Sequence, residues 1–164
     1  MTNQISGDTV VRGHLSATSM TIPNSTVTSN AVQSAANINA DKLESRIYPS
    51  HAQPNTAATA ETRALFVARR AGIVNHIYVG SIVAAIGDST VTVDVKKNGT
   101  SILSSTVTLN SSNTARIAVA ATIDGTLDDL VAADWLDVVI TVSAGTGTLP
   151  TGVFVQVEID QDGV

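Results

Sequence analysis

The sequence predicts a mainly β protein, an antiparallel β-sandwich of jelly-roll-like type with an extended N-terminal arm and one short helix. Three observations predict it. Apolar residues make up 43% of the chain but aromatic residues only 3%, so Ala, Val and Ile carry the apolar content, and β-branched side chains suit a pleated surface. Apolar and polar residues alternate at period two in several runs after Arg63. Between those runs stand turn residues, Asn98-Gly99 and Gly145-Thr146-Gly147, with no helical pattern intervening.

Residues 1–30 are rich in Ser, Thr and Asn, with isolated apolar residues at Ile5, Val10, Val11, Leu15, Met20, Ile22 and Val27. That is too sparse for a core of its own and too apolar for a free linker. The segment reads as an arm that buries a few side chains on a neighbouring surface. Residues 30–47 follow a helical spacing through Val32, Ala35, Ala36, Leu43 and Ile47, with Ser29 or Asn30 as cap. Its alanines suit a thin helix at a symmetry axis, which makes Val32, Ala36, Leu43 and Ile47 the expected oligomer contacts. Pro49 and Pro54 then break regular structure, so the segment to Thr62 reads as a linker. The expected division is therefore 1–62 for arm, helix and linker, and 63–164 for the sandwich.

Within the sandwich, Ala64–Ala68 is a short strand and Gly72–Ile86 one long strand or two. Val91, Val93 and Val95 alternate with Thr92, Asp94 and Lys96 up to Asn98-Gly99, a strong hairpin signal because both residues tolerate positive φ. Leu103, Val107 and Leu109 form the return. Ile117–Ile123, Leu136–Val142 and Val153–Ile159 repeat the alternation. The opposite face of the last run carries Phe154, Gln156, Glu158 and Asp160, a solvated face with Phe154 free to make a contact.

Chemistry-bearing patterns are few. The chain has no cysteine, which removes disulfides, thiolate metal sites and cysteine nucleophiles. Its net charge of −5 and the isolated pairs Arg69-Arg70 and Lys96-Lys97 exclude a phosphate-backbone partner. No run approaches the roughly 18 apolar residues of a membrane helix, and neither a membrane partner nor a secretory signal is expected. His14, His51 and His76 lack the spacing of a local metal site. There is no nucleophile elbow and no phosphate loop, and Gly145–Leu149 opens no helix that would hold an anion. The one acidic concentration runs from Asp124 through Asp128 and Asp129 to Asp134 and Asp137. Asp124, Asp128 and Asp129 are its candidate calcium ligands, but the spacing departs from an EF-hand, and the reading kept is a solvated loop without metal. Five aromatic residues leave little to stack a sugar. No enzyme, catalytic residue or cofactor is expected.

A resemblance adds to this. Gly87–Leu103, with Thr92-Val93-Asp94-Val95-Lys96-Lys97-Asn98-Gly99-Thr100 at its centre, resembles the central hairpin of small β-sandwich modules in tailed-phage virion proteins. Ala133-Asp134-Trp135-Leu136-Asp137-Val138 is similar to the strand that follows in those modules, and Gly152–Val157 to their last strand. The likeness covers roughly residues 63–160. Ser19–Val27 and Ala40–Leu43 look like the particle-proximal segment of head fibres and decoration proteins. What the resemblance implies is a capsid decoration (cement) protein or short head fibre on the outer surface of the virion, with the major capsid protein as partner and a homotrimer as its assembly. Val10, Leu15, Met20, Ile22 and Val27 are then the expected capsid contacts. A tail-fibre or adhesin tip module recognising a host glycan or protein is the alternative.

Overall fold

The structure, a computed structural model, describes residues 45–161. Among them eleven strands form two antiparallel sheets packed face to face, the expected β-sandwich. They are β1 (Ser45–Ile47), β2 (Ser50–Ala52), β3 (Glu61–Val67), β4 (Gly72–Val83), β5 (Thr90–Lys97), β6 (Thr100–Ser101), β7 (Val107–Leu109), β8 (Val119–Ala120), β9 (Asp129–Leu130), β10 (Trp135–Ser143) and β11 (Thr151–Gln161). The six-stranded sheet runs β1-β11-β4-β8, with β2 also on β11 and β9 also on β4. The five-stranded sheet runs β3-β10-β5-β6, with β7 also on β5.

The alternation decides the packing. Val91, Val93 and Val95 on β5 stand opposite Val142, Ile140 and Val138 on β10, and Val153, Val155, Val157 and Ile159 line the same side of β11. With Val74, Ile77 and Val79 of β4 they form one buried cluster, against which the partly buried Val142 packs. All are small or branched, and Phe66, paired with the buried Leu136, packs against the edge of this cluster. All five aromatic residues of the chain (Tyr48, Phe66, Tyr78, Trp135, Phe154) fall outside the buried set.

Of the one or two strands expected from Gly72, the structure has one, Gly72–Val83. Several other expectations need correction. The run expected over 117–123 shortens to β8, with Ile117 60% exposed and Ile123 bridged to Leu103. The stretch before Arg63 is part of the sandwich and not a linker. β1 pairs with the end of β11, matching Ile47 to Ile159, so residues 45–47 are strand where the helix was expected, and Ile47 packs on the core instead of facing a second copy. β2 pairs further along β11. From Arg46 to Gln53 exposure alternates straight through Pro49: Arg46, Tyr48, Ser50 and Ala52 face out, while Ile47, Pro49, His51 and Gln53 face in. A proline is tolerated here because the strand is at the sheet edge, where one missing donor breaks no ladder. The Pro49 carbonyl still accepts from the Val157 amide. The expected helix over 30–44 and the arm lie outside the described residues.

The inward polar pair has a purpose. Glu61 at the start of β3, in the other sheet, accepts from Gln53 Nε2 at 2.6 Å and from Arg63 Nε at 2.8 Å, and lies 2.9 Å from His51 Nε2. Gln53 is buried and also donates to the Thr59 carbonyl. This cluster clasps the two sheets along their open edge. The Arg63 hydrogen bond, aided by those from His51 and Gln53, lowers the Glu61 carboxyl to about 2 against burial.

The packing and the clasp can each be tested by unfolding. Leu136→Ala, at a fully buried position, lowers unfolding stability by about 2–5 kcal/mol, whereas Val67→Ala at an exposed one changes it by less than ~0.5 kcal/mol, as read from urea unfolding. Because the Glu61 carboxyl titrates lower in the folded chain, its contribution is complete above the ordinary value of 4.5 and is lost as pH falls toward 2. Glu61→Gln is therefore less stable than the parent at neutral pH, by about 1 kcal/mol after solvent screening, and the gap closes in acid. A gap independent of pH contradicts the clasp.

A candidate binding face on the six-stranded sheet

The acidic residues do not come together as a site. Asp124 Oδ1 accepts from the amide and hydroxyl of Thr126, closing a turn on itself, and this holds its carboxyl below the usual range. Asp128 and Asp129 serve through their backbone carbonyls, which accept from the Val74 amide and from Lys97 Nζ. Among the described residues no group of three or more His, Cys, Asp or Glu is placed to hold a metal. The Gly145–Gly147 turn is occupied by protein: Asp88 Oδ1 accepts from the Thr146 amide and hydroxyl. A carboxylate already takes the donors an anion would need.

Asp134 ties two segments together. Its Oδ2 accepts from the Val131 amide, and its Oδ1 accepts from Asn98 Nδ2 at 2.7 Å. Asn98 stands in the left-handed region with φ of 51°, and Gly99 follows at 87°, as the hairpin requires. The Asn98 amide donates to the Trp135 carbonyl, and its side-chain oxygen accepts from the Trp135 amide. The Asn98-Gly99 turn and the Ala133–Leu136 strand entry are thus tied by three hydrogen bonds. Two of the segments that carry the sequence resemblance, Gly87–Leu103 and Ala133–Val138, are neighbours in space, since β5 and β10 pair from Leu136–Lys97 to Ser143–Thr90.

The outer face of the six-stranded sheet is the candidate site. Pairing sets its side chains in rows across the strands. One row holds Ala52, Phe154 and Gly80; the next holds Ser50, Gln156, Tyr78 and Ala120. Beyond it, Glu158 pairs with His76 and Arg46 with Asp160. The ring of Phe154 lies over Gly80, where a Cβ would come within 2.5 Å of its tip. Beside it opens a cavity of about 340 Å³ among Ser50, Ala52, Tyr78, Ala118, Phe154 and Gln156. The His76 ring stacks on Tyr78 with centroids 5.9 Å apart and planes 6° from parallel. At the far end Arg46 Nε reaches Asp160 at 2.7 Å and Glu158 at 3.2 Å, and Asn75 Nδ2 donates to Asp160 at 2.7 Å. The Arg46 hydrogen bond foremost keeps the Asp160 carboxyl below its usual range.

Three of the chain's five aromatic residues, Tyr48, Tyr78 and Phe154, therefore stand on β4, β11 and the β1–β2 edge of one sheet. The sequence flagged Phe154, Gln156, Glu158 and Asp160 by their alternation with the valines of β11. It missed Tyr78, though its place between Ile77 and Val79 puts it on the outer face. It missed Ser50 because Pro49 masked the strand. His51 faces inward to Glu61, and among the described residues neither it nor His76 is hydrogen-bonded to a serine or threonine hydroxyl. The expected capsid contacts Val10, Leu15, Met20, Ile22 and Val27, the oligomer contacts Val32, Ala36 and Leu43, and His14 lie outside the described residues. No protein-family model matches the chain, and no curated protein matches it.

The Asn98–Asp134 link gives a direct test. Asn98→Gly keeps the turn's positive φ and removes the side chain; with Asp134→Ala it closes a double-mutant cycle. Urea unfolding is expected to give a coupling of about 0.5–1.5 kcal/mol. Additive single effects contradict the link.

Proposed function

We propose that the chain is a non-catalytic structural protein of a tailed-phage virion, a capsid decoration protein or short head fibre on the outside of the head. In this reading the N-terminal arm grips the major capsid protein and the sandwich is the module displayed. The observation that carries it is the hydrogen-bonded link of two of the resemblance segments, Gly87–Leu103 and Ala133–Val138, through Asn98 and Asp134. The low charge, 14% of residues against the roughly 25% of an ordinary soluble protein, also suits a chain that spends much of its surface on other proteins.

The mechanism is mechanical. Val10, Leu15, Met20, Ile22 and Val27 remove apolar area from water against the shell, at about 25 cal/mol per Å². Assembly as a homotrimer multiplies weak arm contacts into firm attachment, because the second and third arms bind at high effective concentration. Val32, Ala36 and Leu43 are the proposed contacts between copies.

Deleting residues 1–30 is expected to abolish co-sedimentation with purified heads while leaving the circular dichroism and melting transition of the sandwich in place. Retained binding by the shortened chain overturns this reading, as does labelling of the tail and not the head by immuno-electron microscopy.

A further inference from the structure

We propose that the cavity beside Phe154 binds a neutral pyranose sugar. The inference stands on the geometry of the six-stranded sheet and not on the virion reading.

Two features of the cavity point to this ligand. Its lining includes the aromatic ring of Phe154, whose tip fills the space above Gly80. Small residues at Ala52, Ala118 and Ala120 leave the ring approachable from solvent. Its wall is polar. Ser50, Gln156 and Tyr78 stand in one row across three strands and line the cavity, and their side chains make no hydrogen bond among the described residues. Strands lie about 5 Å apart, so three polar side chains rooted in adjacent strands border a width comparable to one pyranose ring. A sugar ring has both surfaces this needs: an apolar face of C–H groups for the ring of Phe154, and an equatorial rim of hydroxyls for the row.

The charge on the face narrows the class. Glu158 and Asp160 border the row, and the guanidinium of Arg46 is held by both. An anionic sugar or a phosphate would meet these carboxylates beside a cation already paired to them. A flat apolar protein surface would cover the Ser50, Gln156 and Tyr78 groups without satisfying them, which costs more than it returns. A cavity of about 340 Å³ is at the small end of ligand sites, suited to one or two rings.

The test is an amide chemical-shift titration of the full chain with the methyl pyranosides of glucose, galactose, mannose and N-acetylglucosamine. At least one is expected to give saturable shifts at Ser50, Tyr78, Ala118 and Gln156, with a Kd of about 0.1–1 mM, as for a shallow single site. Gln156→Ala and Phe154→Leu, each with an otherwise unchanged spectrum, are expected to weaken binding by about tenfold or more. Trp135→Ser, on the other sheet, is expected to leave it unchanged. Absence of saturable shifts with all four sugars overturns the proposal. So does binding that survives Gln156→Ala and Phe154→Leu, or that is lost in Trp135→Ser.

Discussion

The structure depends on burying the valine-rich inner faces of β4, β5, β10 and β11 against each other. Their inward positions recur at period two, so a one-residue slip of register would turn a strand's whole apolar set into water. The side chains that meet are Val, Ile and Leu, compact enough to close two sheets over one continuous core. The consequence reaches the surface. Phe66 packs against the edge of this core, none of the five aromatic residues is among its fully buried members, and three of them gather on the outer face of one sheet. A chain with few aromatic residues thus keeps an aromatic face.

The edges of the sandwich are held by polar groups. Along one edge the inward positions of β2 and the residue after it carry His51 and Gln53, which bond Glu61 of the facing sheet. At one end of the five-stranded sheet Asn98 and Asp134 lock the β5 hairpin to the entry of β10. The first device anchors β2, whose outward residues Ser50 and Ala52 border the Phe154 cavity. The clasp therefore also fixes one wall of the candidate site, through a backbone that alternates between the two.

Much of this was legible in the sequence where hydrophobic alternation carries the information. The valines of β5, β10 and β11, and the Asn98-Gly99 turn, are read from period two and from tolerance of positive φ. The outward set of β11 follows from the same alternation. The failures share a cause. β1 and β2 are short edge strands with Pro49 between them, and the inward positions beyond it are filled by His51 and Gln53, whose burial is made possible by Glu61 in the other sheet. No periodic pattern encodes that partner. The helical spacing read over 30–47 fails at residues 45–47 for the same reason, because Ile47 owes its place to Ile159 across the sheet. Likewise Gly80 reads as a weak point in a strand until Phe154 is seen to cover it. The Asp124–Asp137 stretch suggested ligands by composition, whereas Asp124, Asp128, Asp129 and Asp134 are each decided by the amide or carbonyl contact they make.

On the proposed reading the chain divides its work among three regions. The inner faces fold the sandwich, the arm is proposed to attach it, and the outer face of the six-stranded sheet is proposed to bind a sugar. A cryo-electron microscopy reconstruction of the assembled head with the protein in place tests that division most directly. The expected result is density for residues 1–30 lying on the shell, with the Phe154 and Tyr78 side of the six-stranded sheet turned to solvent. A reconstruction in which that side is seated on the shell, or in which residues 1–30 make no contact with it, would contradict the division.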